Sequence, residues 1–505
     1  MKATDTPNIL LITSDQQHWK MLGVHTPGLK TPNLDRLAAQ GTRFNRAYCP
    51  NPTCTPTRAS MITGLYPSQH GAYTLGTKLP EEVPTVGEYL QKAGYDCSLI
   101  GKAHFQPLQG NDEFPSLESI SHLHDLDFWR NFNDSFYGFN HIELARNHTD
   151  EGHVGQHYAL WMEENGGEEW RSWFRPPGGT APAQLHQWNI PEKFHYNAWI
   201  TERAGARLEA AAGQEQPFFL WASYFDPHPS YLVPEPWASM YDPDEISLPE
   251  QGLDHTERWP ELMRRTQIPG SSFDEWTEPD GDVIHGAGCH LKDEQTLRKD
   301  AAVYYGMVSM LDHYVGQLLD RLDALGLAEK TLVVFTSDHG HYFGQHGLTS
   351  KGPFHFEDGI RVPLIVRWPG EVPVGRVSDA LQSLVDFTPT FLDAVGLAVA
   401  GGMSGKTQLP VWKGDDFAAR KQVAVEFRHQ PSKLNLRTYI DERYKLTLWN
   451  NPLAGEIYDL VLDPEERCNL WDDPTAAALR SSLLEKALLA EMEKEPYRMP
   501  RLSVA

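Results

Sequence analysis

Residues 52 to 64 read Pro52-Thr53-Cys54-Thr55-Pro56-Thr57-Arg58-Ala59-Ser60-Met61-Ile62-Thr63-Gly64, with a cysteine, a proline and an arginine at alternate positions. Thr53 or Thr55 can cap a helix. Pro56 suits its first turn, where a missing N–H costs nothing, so the pattern predicts a helix through Arg58 with Cys54 at its N-terminal mouth. Such an end concentrates free N–H groups and positive dipole, which stabilise an oxyanion such as sulfate or phosphate. Arg58, one turn in, adds a fork of donors for the oxygens. Taken alone, the motif fits equally a buried structural cysteine at a loop-to-helix junction.

Two apolar runs end in acidic residues. Asn8-Ile9-Leu10-Leu11-Ile12-Thr13 leads into Ser14-Asp15-Gln16, and Thr331-Leu332-Val333-Val334-Phe335-Thr336 leads into Ser337-Asp338-His339-Gly340. Delivered to one crevice, Asp15, Asp338 and His339 offer oxygens and a nitrogen to a divalent cation. Aspartates at strand ends also cap following helices, so the pair by itself decides little. A third run, residues 96 to 100, ends in Gly101-Lys102-Ala103-His104, and a fourth, residues 217 to 224, in Phe225-Asp226-Pro227-His228-Pro229. Without context, Gly-Lys reads as a turn with a solvated lysine and His228 as a turn residue between prolines, although imidazole suits proton transfer near neutral pH. Lys351 follows Gly347-Leu348-Thr349-Ser350, with His341, His346 and His355 nearby, His346 reading as loop structure.

Short buried-type strands alternate with helical stretches: helix 86 to 92 before strand 96 to 100, helix 204 to 212 before strand 217 to 224, and a long helix from about 293 to 325 before strand 331 to 336. This order predicts an α/β fold with a mostly parallel mixed sheet flanked by helices, in which ligands sit beyond the carboxyl ends of the strands. Residues 105 to 191 interrupt it with a Trp-rich insertion that includes Trp161, Trp170, Trp173 and Trp188, and 227 to 290 form a second irregular stretch. Long insertions in such cores build the rim of a site, or are surface excursions held by their own aromatics. Beyond Gly401-Gly402-Met403-Ser404-Gly405 the pattern changes to short strands and a final helix from about 474 to 495. We expect a catalytic domain over 1 to 400 and a small C-terminal α+β domain with a short antiparallel sheet over 401 to 505.

The formal charge of -24 argues against nonspecific nucleic-acid binding, so an anionic substrate must be drawn by local charge, for which Arg58, Lys102 and Lys351 are candidates. Five unpatterned cysteines indicate neither a disulfide framework nor a zinc knuckle. The start shows no apolar leader before the first strand and no stretch spans a membrane, so the expected setting is cytoplasmic, without membrane association. A homo-oligomer is compatible with an acidic enzyme carrying an appended small domain.

Cys54-x-Pro56-x-Arg58, together with Gly94-Tyr95-Asp96-Cys97-Ser98-Leu99-Ile100-Gly101-Lys102-Ala103-His104 and the segment 456 to 470, resembles the type I sulfatases of the alkaline phosphatase superfamily, from Asn8 to Leu470. The resemblance implies that Cys54 is converted by a formylglycine-generating enzyme to formylglycine, whose hydrate is the nucleophile. It implies a metal held by Asp15, position 54, Asp338 and His339, with Gln16 a further candidate, and catalytic roles for Arg58, Lys102, His104, His228 and Lys351. Gln16 stands where a second aspartate is more usual and His339 where many members carry asparagine. Calcium is the expected ion, manganese or another transition ion the alternative. The implied reaction is hydrolysis of an aryl or carbohydrate sulfate. Phosphonate monoester and phosphodiester hydrolases share the motif and the Asp-Gln and Asp-His pairs and form the second expectation. A non-catalytic binding protein on the same scaffold is a remote third.

Overall fold

A computed structural model of the chain describes residues 6–146, 151–175, 186–277, 284–430, 433–450 and 453–495. Its strands are β1 (Asn8–Ser14), β2 (Thr42–Tyr48), β3 (Asp96–Gly101), β4 (His141–Leu144), β5 (Phe218–Ser223), β6 (Thr331–Ser337), β7 (Tyr342–Phe343), β8 (Thr349–Ser350), β9 (Arg361–Arg367), β10 (Arg376–Ser378), β11 (Gln382–Ser383), β12 (Val423–Gln430), β13 (Leu434–Ile440), β14 (Tyr444–Asn450) and β15 (Leu453–Asp459). The large sheet runs β10-β2-β9-β6-β1-β5-β3-β4, with β11 also on β2. Every pairing is parallel except those of β9 with β2 and β6.

Because β1, β5 and β6 are buried along their length, their side chains divide between two cores by simple alternation. Leu10, Ile12, Leu220, Ala222, Val333 and Phe335 pack on the face that carries helices Tyr196–Ala211 and Glu294–Ala324. Ile9, Leu11, Phe219, Trp221, Leu332 and Val334 pack on the opposite face with Ala59, Met61 and Ile62 of helix Cys54–Thr63. Helix Tyr196–Ala211 begins eight residues before the expected start. Its first turns carry Tyr196, Trp199, Ile200 and Thr201, poor helix formers whose burial outweighs their propensity.

Of the two expectations for the Trp-rich insertion, the fold builds aromatics held by one another. Trp170 and Trp188 are buried and Trp161 and Trp173 half-buried, packed among Tyr158, Phe174 and Phe194 beside helix Tyr196–Ala211. Two of the indole N–H groups donate to Glu163 Oε1 and to the carbonyl of Trp173.

The antiparallel sheet β12-β13-β14-β15 packs one face on helix Ala477–Met492 through Tyr439, Leu446, Ile457, Leu483 and Ala490. From the other face, Phe427, Leu436, Trp449 and Tyr458 meet Tyr342, Phe354 and Phe356 of the segment around Lys351. Buried Lys445 Nζ donates to the carbonyl of His355 at 2.6 Å and pairs with Glu466. Among the described residues no helix is long and apolar enough to cross a membrane.

Candidate active site

Four neighbouring strands, β6, β1, β5 and β3, end level with one another: Ser14 lies opposite Ser337, Thr13 opposite Ser223, and Ser223 opposite Gly101. The residues that follow therefore leave the same edge of the sheet, so Asp15, Asp338-His339, Lys102 and His228 converge although over 300 residues separate the first from the second. Cys54 arrives from the side, as the first residue of helix Cys54–Thr63. The expected cap is Thr53 by position, but its hydroxyl donates to Asn51 Oδ1 at 2.5 Å and accepts nothing from the helix. The N-terminal N–H groups thus stay available.

Cys54 Sγ is 3.1 Å from Lys351 Nζ, 3.2 Å from His339 Nε2, 3.7 Å from Asp15 Oδ1 and 3.8 Å from Lys102 Nζ. The ligand atoms of Asp15, Cys54, Asp338 and His339 all lie within 4.8 Å of one another and all four residues are buried. Gln16 donates through Nε2 to His341 Nδ1 at 2.8 Å and to Ser350 Oγ at 3.1 Å, which leaves its Oε1 buried without a partner. Two carboxylates, an unsatisfied amide oxygen and an imidazole suit a divalent cation of hard or borderline character. These residues fit such an ion.

Charge compensation accounts for the titration of the cluster. Burial pushes the Asp15 carboxyl up, but Lys102, Arg58 and Lys351 outweigh it and hold the group below the usual carboxylate range. Burial and Asp15 raise the Cys54 thiol, yet Lys102 and Lys351 bring it below its ordinary value. Burial opposes a charge on His339, and Asp338 overrides that to raise it. His228 moves the other way: burial first, then Lys351 and Lys102, push it well below 6.5. Its Nδ1 contacts the carbonyl of Pro229, which can only accept, so Nε2 is the acceptor toward Lys351 Nζ at 3.0 Å. His228 is accordingly a neutral ring here, an acceptor toward Lys351.

Arg58 also differs from expectation. It is fully buried, and its donors go to Asp338 Oδ2 at 2.8 Å, the carbonyl of Lys102 at 3.0 Å and Ser223 Oγ at 2.8 Å, with Nη2 3.6 Å from Asp15 Oδ2. It braces the two carboxylates, and its buried Nη2 makes no hydrogen bond. Lys102 Nζ contacts Asp15 Oδ2. His104, 6% exposed and at a positive φ of 60°, follows Lys102 in the same loop.

Several supporting residues escaped the sequence reading. The carboxylate of Glu118 accepts the backbone N–H groups of His104, Phe105 and Gln106 at 2.9, 2.7 and 2.8 Å, and so shapes the loop that bears Lys102 and His104. Asn51 accepts the N–H of Thr53 and donates to the carbonyl of Glu426, while Ser223 receives Arg58. Nothing in their spacing marked them, since each acts by hydrogen bonds that form only once the loops are folded. His346 lies in the loop, stacked on Phe356 at 3.5 Å, and His355 binds Thr438 at 2.6 Å.

Comparison with known proteins places these residues in context. A family model described as sulfatase matches residues 7–397, and one described as N-sulphoglucosamine sulphohydrolase, C-terminal, matches 344–495. The chain is 29% identical to an Escherichia coli K12 protein described as uncharacterized sulfatase YidJ, over 97% of this chain and 88% of that one. It is also 29% identical to the multifunctional alkaline phosphatase superfamily protein PehA of Trinickia caryophylli, over 95% and 94%. Among solved structures, the phosphonate monoester hydrolase of Agrobacterium radiobacter superposes with a TM-score of 0.78 at 26% identity, covering 97% and 96% of the two chains.

Proposed function

The chain belongs to the sulfatase family, and from that premise we propose that it hydrolyses an organic sulfate ester, aryl or carbohydrate, to an alcohol and inorganic sulfate, with a formylglycine made from Cys54 and a divalent metal. The observation that carries this reading is the position of Cys54 Sγ, at a helix N-terminus and within 3.8 Å of two lysines, a histidine and an aspartate. Sγ marks where an oxygen of the hydrated aldehyde would lie. The aldehyde hydrate, made by a formylglycine-generating enzyme, supplies a nucleophilic hydroxyl and a second hydroxyl that allows sulfate to be expelled, and the metal supplies positive charge for the sulfate oxygens.

This chain's own residues do the rest. Asp15, Asp338 and His339, with Gln16, are the metal ligands, calcium being the first candidate and manganese the second. Arg58 holds both carboxylates in place. Lys102 and Lys351 neutralise charge that grows on the nonbridging oxygens in the transition state. The alcohol leaves on the His228 side, where the Lys351 ammonium, oriented by His228 Nε2 at 3.0 Å, can donate a proton directly to the departing oxygen. His104 takes a proton during release of sulfate.

A phosphonate monoester or phosphodiester hydrolase is the second reading, favoured by the likeness to the Agrobacterium enzyme and by the Asp15-Gln16 and Asp338-His339 pairs. Measuring kcat/KM on matched aryl sulfate, phosphodiester and phosphonate esters separates the two, and a large preference for phosphorus esters would overturn the first. Mass spectrometry of the Cys54 peptide from a host with active maturation machinery tests catalysis itself. An unmodified thiol there would favour a non-catalytic binding protein.

A further inference from the structure

The tryptophans of the insertion are spent on packing, so the alcohol must be recognised by other groups. Two segments are fastened to the loops that carry Lys351 and Cys54. The first is the turn 284–287, in which Ala287 N–H donates to the carbonyl of Ile284 at 2.8 Å. It is clamped to the lysine's own loop: a Cβ on Gly286 would lie 2.4 Å from Gly352 Cα and 2.5 Å from the carbonyl oxygen of Lys351. His290 holds the clamp from behind, with Nε2 2.7 Å from the carbonyl of Gly286 and Nδ1 accepting the N–H of Thr349 at 3.0 Å. The second segment is the end of β12. Glu426 N–H donates to the carbonyl of Pro50 at 2.8 Å, and Asn51 Nδ2 donates to the carbonyl of Glu426 at 2.7 Å, which locks this strand to the loop leading into Cys54.

Each clamp carries a histidine, His285 on the turn and His429 on β12. His285 is exposed to solvent beside the clamped Gly286. Desolvation, then the positive field of Lys351, His339 and His429, pushes its pKa down to about 3, so the ring is neutral. His429 is 8% exposed, its ring nearly parallel to that of Phe427 at 6.2 Å, which fixes its plane. A neutral imidazole offers one donor and one acceptor, the complement of a hydroxyl group. An aryl group would call for apolar walls. A quaternary ammonium would call for aromatic faces or carboxylates, and the charged group beside His285 is a lysine, which repels a cation.

We propose that His285 and His429 are the residues that recognise the alcohol, and that this alcohol is a sugar whose hydroxyls they hydrogen-bond. The proposal rests on the ester-hydrolase reading above and narrows its substrate class. The mature, metal-loaded enzyme is assayed on a panel of monosaccharide 2-, 3-, 4- and 6-sulfates, on 4-nitrophenyl sulfate and on choline sulfate, and His285→Ala, His429→Ala and His285→Asn are compared with wild type. The readout is the ratio of kcat/KM for the best sugar ester to that for the aryl ester. Each alanine variant should lower this ratio about tenfold to a hundredfold, the cost of leaving a substrate hydroxyl unpaired, and His285→Asn should recover part of it. A ratio unmoved in both alanine variants, an equal loss on both esters, or a wild-type preference for choline sulfate or for the aryl ester overturns the proposal. Wild type that prefers phosphonate esters overturns the sulfate reading instead, and the pair is then judged by the same ratio on sugar and aryl phosphonates.

Discussion

Lys351→Ala removes the cation closest to the reacting position. Lys351 Nζ lies 3.1 Å from Cys54 Sγ, 3.0 Å from His228 Nε2 and 3.4 Å from His339 Nε2, on a side chain that is 6% exposed. A charge-assisted hydrogen bond contributes about 1.5–3 kcal/mol. The Coulomb interaction of two unit charges at this separation is about 5 kcal/mol at an effective dielectric of about 20, which sets the upper end. At roughly 1.4 kcal/mol per decade, kcat/KM on an aryl sulfate should fall by about one to four orders of magnitude, with kcat carrying most of the loss, because charge on the sulfate oxygens grows toward the transition state. Lys351→Arg should recover only part, since a planar fork cannot occupy the place of a point charge between Sγ and an imidazole. Steady-state kinetics are to be run on protein whose position 54 has been verified by mass spectrometry and whose metal content has been measured, so that neither maturation nor metal loss is mistaken for the effect. A kcat within about threefold of wild type would refute the assignment of Lys351.

Two further outcomes follow from the same geometry. Asp226 is buried, accepts Tyr196 Oη–H and Asn197 Nδ2–H, and has its carboxyl pushed by burial from 3.8 up to about 7. A carboxyl raised on folding contributes stability that is fully present below about pH 4 and is lost as pH rises through 7, on the order of 4 kcal/mol in all. Asp226→Asn is neutral at every pH, so the Tm of the variant relative to wild type should rise steadily between pH 4 and pH 8. A difference independent of pH would contradict it. Chelation should lower sulfatase activity by two orders of magnitude or more, restored by calcium or manganese, and should also lower Tm, because Asp15 and Asp338 lose a shared cation while remaining buried. Full activity after exhaustive chelation, with metal absent by elemental analysis, would exclude the site as a metal centre.

Local order in the chain determined a good deal. Apolar runs of buried-strand length, each ending in a polar cluster, placed β1, β3, β5 and β6 within a residue or two, and with them the positions of Asp15, Lys102, His228 and Asp338. Proline after a cap marked the start of helix Cys54–Thr63. These features are legible because strand burial and helix initiation depend on neighbours within a few residues. The antiparallel insertion of β9 between β2 and β6 was not, since pairing direction is set by contacts between distant segments.

What each polar group does was decided by the tertiary structure. Arg58 looked like an oxyanion fork and is a brace, because its three partners, Asp338, Lys102 and Ser223, come from three different strand ends. His228 read as a turn residue or a proton-transfer group and is a neutral acceptor, because burial and a lysine 123 residues away in sequence disfavour its charge. The tryptophans, which sequence left open between a rim and a self-packed excursion, pack against the core. Composition and spacing set which chemistry the chain could hold, since those are properties of residue type and of short-range geometry. Charge state, orientation and exposure depend on the field and packing of groups brought together only on folding, and these determined which side chains face the ester at Cys54.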